Sequence, residues 1–177
     1  MPPEQVLNEV NLRTVGALVE QIQKEPALAR TLWKSEVRWK GAFRSESQSR
    51  DLRPVPSDEP VTLGGGDSAP NPVEQLLGAL GNCLAVGYAA NATLKNIRIL
   101  SLSIALEGEL DLHTFLGLGS GNAGFETIRA VVDLETDASP DRVRALHQSV
   151  VATSPVGHTL SRAVPVSIDL SKDSRPA

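Results

Sequence analysis

Residues 64–92 read GGGDSAPNPVEQLLGALGNCLAVGYAANA. A glycine- and proline-rich loop here gives way to an apolar run, and the pattern predicts a helix from Pro72 to about Thr93. Asn71 suits the N-cap and Pro72 the first helical position, where a missing N–H costs nothing. Glu74 puts a negative charge in the first turn, facing the positive end of the helix dipole. Leu76, Leu77, Leu80, Leu84 and Val86 are apolar nearly all round, with small Gly78, Ala79, Gly81 and Ala85 between them. Each interior glycine costs about 0.5–1 kcal/mol against alanine, which is tolerable where other elements pack close to the backbone. A helix apolar on all sides is a buried helix. It holds the sole cysteine of the chain, Cys83. Such a residue is either a small buried hydrophobe or a reactive thiol, and composition alone favours the first.

Outward from this helix, Val6–Lys24 reads as an amphipathic helix, with Val6, Val10, Leu18 and Ile22 on one side, ended by Pro26. Trp33–Phe43 alternates like a half-buried strand. Trp33 and Trp39 would share one face as core or dimer contacts. Arg44–Pro60 is polar and carries Pro54, Pro56 and Pro60, which suggests a mobile connection or an edge strand. Gly64–Gly66 is read as a turn. Strands follow at Arg98–Leu112 and Ile128–Leu134, and a helix opens at Ser139-Pro140 and runs through Val151. Ser154-Pro155 opens a short turn or helix, Val164–Leu170 reads as a last strand, and Ser171–Ala177 as a frayed tail. Runs of strands separated by helices indicate an α+β fold with a mainly antiparallel sheet. No second sheet is evident to cover the far side of the Pro72 helix. A homodimer enclosing two such helices is therefore expected.

The chain has 177 residues and a net charge of −4. The mild acidity and scattered basic residues give no case for nucleic acid. No apolar run reaches the roughly 18 residues of a membrane span. The opening residues do not read as a secretion signal, so a cytoplasmic location is expected. No dinucleotide, Walker, C-x-x-C or H-E-x-x-H motif occurs, and no cofactor is expected. Residues 117–121, GLGSG, lack the lysine of a phosphate loop and are read as a turn. His113, His147 and His158 lie in separate segments without ligand spacing, so no metal site is expected.

The block SDEPVTLGGGDSAPNPVEQLLGALGNCL, residues 57–84, resembles the signature of the OsmC/Ohr family of hydroperoxide-reducing proteins. The matching positions are Asp58-Glu59-Pro60, Gly65-Gly66-Asp67, Pro70, Pro72, Glu74, Leu76-Leu77, Ala79-Leu80 and Gly81-Asn82-Cys83. The segment from Ser154, SPVGHTLSRAVPVSIDL, is similar to the family's C-terminal block. Residues 107–118, EGELDLHTFLGL, resemble the middle of its longer, OsmC-like subgroup. The likeness covers about Trp33 to Leu170.

The resemblance implies one OsmC-like domain with a helical extension at residues 1–30, a core at 33–170 and a tail at 171–177. It implies an intertwined homodimer of two long central helices wrapped by antiparallel sheets. Cys83 matches the thiol that attacks an organic hydroperoxide and becomes a sulfenic acid. In the family a second cysteine resolves that acid as a disulfide, and dihydrolipoyl groups or other thiols restore it. Here the matching position is Ser154, so an external thiol must act, or the pocket serves binding alone.

The family also supplies an arginine to the thiolate, held by a glutamate. Arg50 is the preferred match, with Arg44 the other, and Glu74 matches the glutamate. Either arginine also reads as a surface charge, and Glu74 as a plain dipole partner. Ser154 reads as a pocket hydroxyl or, more simply, the N-cap before Pro155. Leu80 would help line an apolar substrate pocket. The expected activity is a thiol-dependent peroxidase reducing organic hydroperoxides. The rivals are a non-catalytic protein binding an apolar small molecule at the dimer interface, and a purely structural dimer.

Overall fold

The computed structural model describes residues 6–170. The long helix, α2 once the preceding elements are counted, spans Pro72–Leu94. Its start is a full capping box. The Asn71 side chain accepts from Glu74 N at 2.9 Å, and the Glu74 carboxylate accepts from Asn71 N at 2.8 Å. Leu80, Leu84, Tyr88 and Ala92, four apart, form one buried stripe with Ile97, Leu146 and Val150. The opposite flank is open in the single chain, with Val86 70% exposed. The helix is thus apolar all round but covered on one side only.

Before it, α1 spans Leu12–Lys24 and begins at Asn11, whose side chain accepts from Thr14 N. The predicted start at Val6 is corrected. Asn8 is left-handed and leaves only a short 3-10 turn at Leu7–Glu9. That residue has a structural task. Its amide donates to Thr93 Oγ1 and Ile97 O and accepts from Ile99 N, which ties the N-terminal extension to the end of α2.

Strands β1 (Glu36–Gly41), β2 (Arg44–Gln48) and β3 (Val55–Ser57) form an antiparallel sheet in the order β1-β2-β3. Two expectations change here. Trp33 precedes β1 and does not share a strand with Trp39, and both indoles are exposed, at 81% and 76%, so neither is core in this chain. Arg44–Gln48 is the central strand, not an edge or a mobile connection. The positive-φ pair Gly41-Ala42 closes the hairpin that places it there. Pro56 lies in β3 at the sheet edge, where its missing N–H breaks no ladder.

Strands β4 (Ile99–Leu110) and β5 (Phe125–Thr136) pair antiparallel along nearly their whole length. Leu102, Ile104 and Leu106 turn toward α2, while Ser103 and Glu107 turn to solvent. The connection carries a short helix, α3 (Leu112–Phe115). Helices α4 (Pro140–Thr153) and α5 (Pro155–Leu160) follow and pack on α2. Two α2 glycines admit close neighbours. A Cβ at Gly81 would lie 2.8 Å from Leu106 Cδ1, and one at Gly87 would lie 2.9 Å from Val150 Cγ1.

The predicted strand at Val164–Leu170 is not formed. The segment has no regular structure, and Val166, Ile168 and Leu170 are 77%, 93% and 92% exposed. It pairs with no strand of its own chain, and alternation alone cannot supply a partner. The tail 171–177 lies outside the described residues.

Candidate functional site

The loop Ser57–Asn71 fixes how α2 enters the site. Asp58 is 1% exposed, and its carboxylate accepts from Glu59 N, Gly66 N, Ser68 N and the Ser68 hydroxyl. The Ser68 hydroxyl bond and then these backbone N–H groups outweigh the desolvation cost and hold its carboxyl below the ordinary range. Gly65 passes so close to Glu59 that a Cβ would meet its carbonyl oxygen at 1.8 Å. The Gln75 amide donates to Pro56 O and Pro70 O, binding the first turn of α2 to both ends of the loop.

Cys83 lies in the middle of α2 and is half-buried. Its Sγ is 3.3 Å from Ser154 Oγ at the elbow between α4 and α5. Ser154 is 4% exposed, and its Oγ also accepts from Gly157 N at 3.1 Å. Both readings of Ser154 therefore hold together, since the hydroxyl caps α5 and faces the thiol. Because the oxygen accepts from Gly157, its own proton is free to point at sulfur. Cys83 is nine residues beyond Glu74, far from the first turn, where the dipole acts.

One turn earlier, Leu80 lines a cavity of about 280 Å³ with Phe125, Ile128, Gly157 and Leu160. Leu80 and Gly157 are shared by this cavity and the surroundings of Ser154. The arginines lie elsewhere. Arg44 opens β2, opposite Gly41. Arg50 sits in the bend after β2 with φ 54 and lines a separate cavity of about 860 Å³ with Leu32, Trp33 and Lys34. Among the described residues no hydrogen bond or ion pair joins either arginine to Cys83 or Glu74. The Glu74 carboxylate is engaged in the capping box. One protomer thus assembles Cys83, Ser154 and Leu80, and does not bring Arg50, Arg44 or Glu74 to the thiol.

Sequence reasoning missed a polar pair. The hydroxyl of Tyr88, 1% exposed, is hydrogen-bonded to His147 Nδ1. Burial pushes the Tyr88 phenol above its ordinary value. In the sequence, His147 shares one side of its helix with Val143, Leu146 and Val150. Among the described residues no group of three histidine, cysteine or carboxylate side chains could hold a metal ion. No helix among them is long and apolar enough to cross a membrane.

The family model described as OsmC, OsmC-like protein, matches residues 64–169. No curated protein matches the chain. Solved structures share the fold at low identity. An OsmC-like protein from Mycoplasma pneumoniae is 17% identical with a TM-score of 0.64, covering 74% of this chain and 88% of its own. A putative osmotic stress induced and detoxification response protein from Psychrobacter arcticus is 14% identical with a TM-score of 0.61, covering 73% and 89%. An organic hydroperoxide resistance protein from Elizabethkingia anophelis is 14% identical with a TM-score of 0.54, covering 73% and 89%.

Proposed function

The chain belongs to the OsmC-like family, and from that premise we propose that it is a thiol-dependent peroxidase that reduces organic hydroperoxides through Cys83. The observation that carries this reading is the contact of the sole thiol with a buried hydroxyl, at 3.3 Å, beside an apolar cavity. The thiolate attacks the outer oxygen of the hydroperoxide. The O–O bond breaks, the alkoxide leaves and takes a proton to become the alcohol, and Cys83 becomes a sulfenic acid. Ser154 cannot form a disulfide. It donates a hydrogen bond to the thiolate, and then to the sulfenic oxygen. An external thiol condenses with the sulfenic acid and releases water, and a second external thiol frees Cys83 from the mixed disulfide. Leu80 favours alkyl over hydrogen peroxide.

The protein acts as a homodimer in this reading. The open flank of α2 and the exposed, alternating Val164–Leu170 segment support that assembly. The cation that pairs with the thiolate is Arg50, or Arg44, of a second copy, since neither is joined to the thiol within its own chain. A Glu74 carboxylate that exchanges its cap for this arginine would orient it.

The test is intact-mass spectrometry after brief treatment with cumene hydroperoxide and a sulfenic-acid trap, on wild type and Cys83→Ala. An adduct confined to the wild type is expected. An unmodified thiol after peroxide treatment would overturn the mechanism. One observation favours a second reading, a non-catalytic binding protein with this fold: among the described residues no cation is hydrogen-bonded to Cys83 in one chain. Thiol labelling of native protein separates the two, because a peroxidatic thiol labels fast near neutral pH and an inert one only on unfolding.

A further inference from the structure

A cavity of about 580 Å³ lies between β5 and α4, apart from Cys83. Its volume falls within the range of about 300–1,000 Å³ usual for small-molecule sites. Val132 and Leu134 of β5 and Val143 of α4 give it an apolar floor. Its polar groups come from one helix face, where Arg144, His147 and Gln148 stand within about one turn. Asp133 also lines it, and strand alternation sets this residue on the opposite face of β5 from Val132 and Leu134.

The Tyr88 hydroxyl fixes the imidazole. It is hydrogen-bonded to His147 Nδ1, and where the hydroxyl is the donor the ring proton sits on Nε2. Arg144 is held by Asp141 in an exposed pair, which is weak and leaves further N–H groups of the guanidinium open. One cation and two further polar side chains, above an apolar floor, match one anionic head with a hydrocarbon tail.

We propose that this cavity binds a carboxylate with an apolar chain, its head held by Arg144, His147 Nε2 and Gln148 and its tail on Val132, Leu134 and Val143. The site is independent of the peroxidase reading.

The experiment titrates octanoate, octylamine and octanol into isotope-labelled full-length protein, followed by amide NMR shifts and calorimetry. Octanoate is expected to saturate, with shifts at Val132, Leu134, Val143 and His147, and to bind Cys83→Ser unchanged. Arg144→Gln should weaken it about tenfold, the loss of one charge-assisted contact. Arg144 is exposed, so this variant should fold, and Gln148→Glu gives a second test by placing a like charge beside the head. Equal binding of octanol or octylamine, unchanged affinity in both variants, shifts centred on Cys83, or no saturable shifts would each overturn the proposal.

Discussion

Cys83 Sγ and Ser154 Oγ lie 3.3 Å apart although 71 positions separate them in the chain. The packing of α2 against the α4–α5 elbow creates the contact, which sets a hydroxyl beside the thiol. A thiol at residue 154 would therefore face Cys83. Ser154→Cys is expected to allow a disulfide between the two. A disulfide needs about 2.05 Å between sulfurs, so the two side chains must close further than the present contact. After hydroperoxide treatment the variant should lose both free thiols and form an intramolecular disulfide, read by intact mass and thiol titration. Retention of both thiols, with Cys83 oxidisable in wild type, would show that the elbow cannot close that far. The same variant loses the α5 N-cap and should be less stable by about 0.5–2 kcal/mol.

Asp58 gives a pH signature. Its carboxylate accepts from Ser68, Gly66 and Glu59 in the loop that feeds α2, so its folded-state pKa lies below the ordinary 3.8. A depressed carboxyl pKa adds stability that is fully present above the unfolded value and is lost as pH falls through the folded one. The melting temperature of wild type should therefore drop on acidification below about pH 4. Asp58→Asn turns an amide toward donors, so it should melt lower at neutral pH. Its gap to wild type should then narrow in acid. A gap that stays constant with pH would mean that the charge of Asp58 is not what orders the loop.

The same loop predicts a steric requirement at Gly65. A Cβ there would sit 1.8 Å from the Glu59 carbonyl oxygen and 2.4 Å from its carbon, both backbone atoms that cannot rotate away. Gly65→Ala should cost at least the 1–3 kcal/mol typical of overpacking. It should also loosen the α2 N-terminus, seen as faster hydrogen exchange at Gln75. A variant as stable as wild type would show that the loop has another conformation available.

What the sequence disclosed follows from how local each signal is. The α2 start was legible because Asn71, Pro72 and Glu74 act within one turn. The β4–β5 hairpin was legible because Leu102, Ile104 and Leu106 repeat the pleat against a core. RSESQ at Arg44–Gln48 has no such repeat, and only its two neighbours make it a central strand. Val164–Leu170 has the repeat and lacks the neighbour. Cys83 and Ser154 were marked by family resemblance, but their meeting depends on the α4–α5 elbow. The bond from Tyr88 to His147 joins two helices through side chains alone, so no local pattern announces it.

Gly78 tests the proposed assembly by the sign of its effect. Nothing lies within 4 Å of a Cβ built at this exposed position in the second turn of α2. In a lone protomer Gly78→Ala would remove backbone freedom from the unfolded chain without a clash, and should stabilise by about 0.5–1 kcal/mol. In the proposed dimer a second copy packs along this flank, where a methyl group must find room between helices. There the substitution should destabilise, and the melting temperature should depend on protein concentration. Sedimentation velocity at micromolar concentration, run on both proteins, completes the test. A dimeric wild type with a weakened variant supports enclosure of two α2 helices. A monomeric wild type with a stabilised variant removes the dimer, and with it the route by which an arginine of a second copy reaches Cys83.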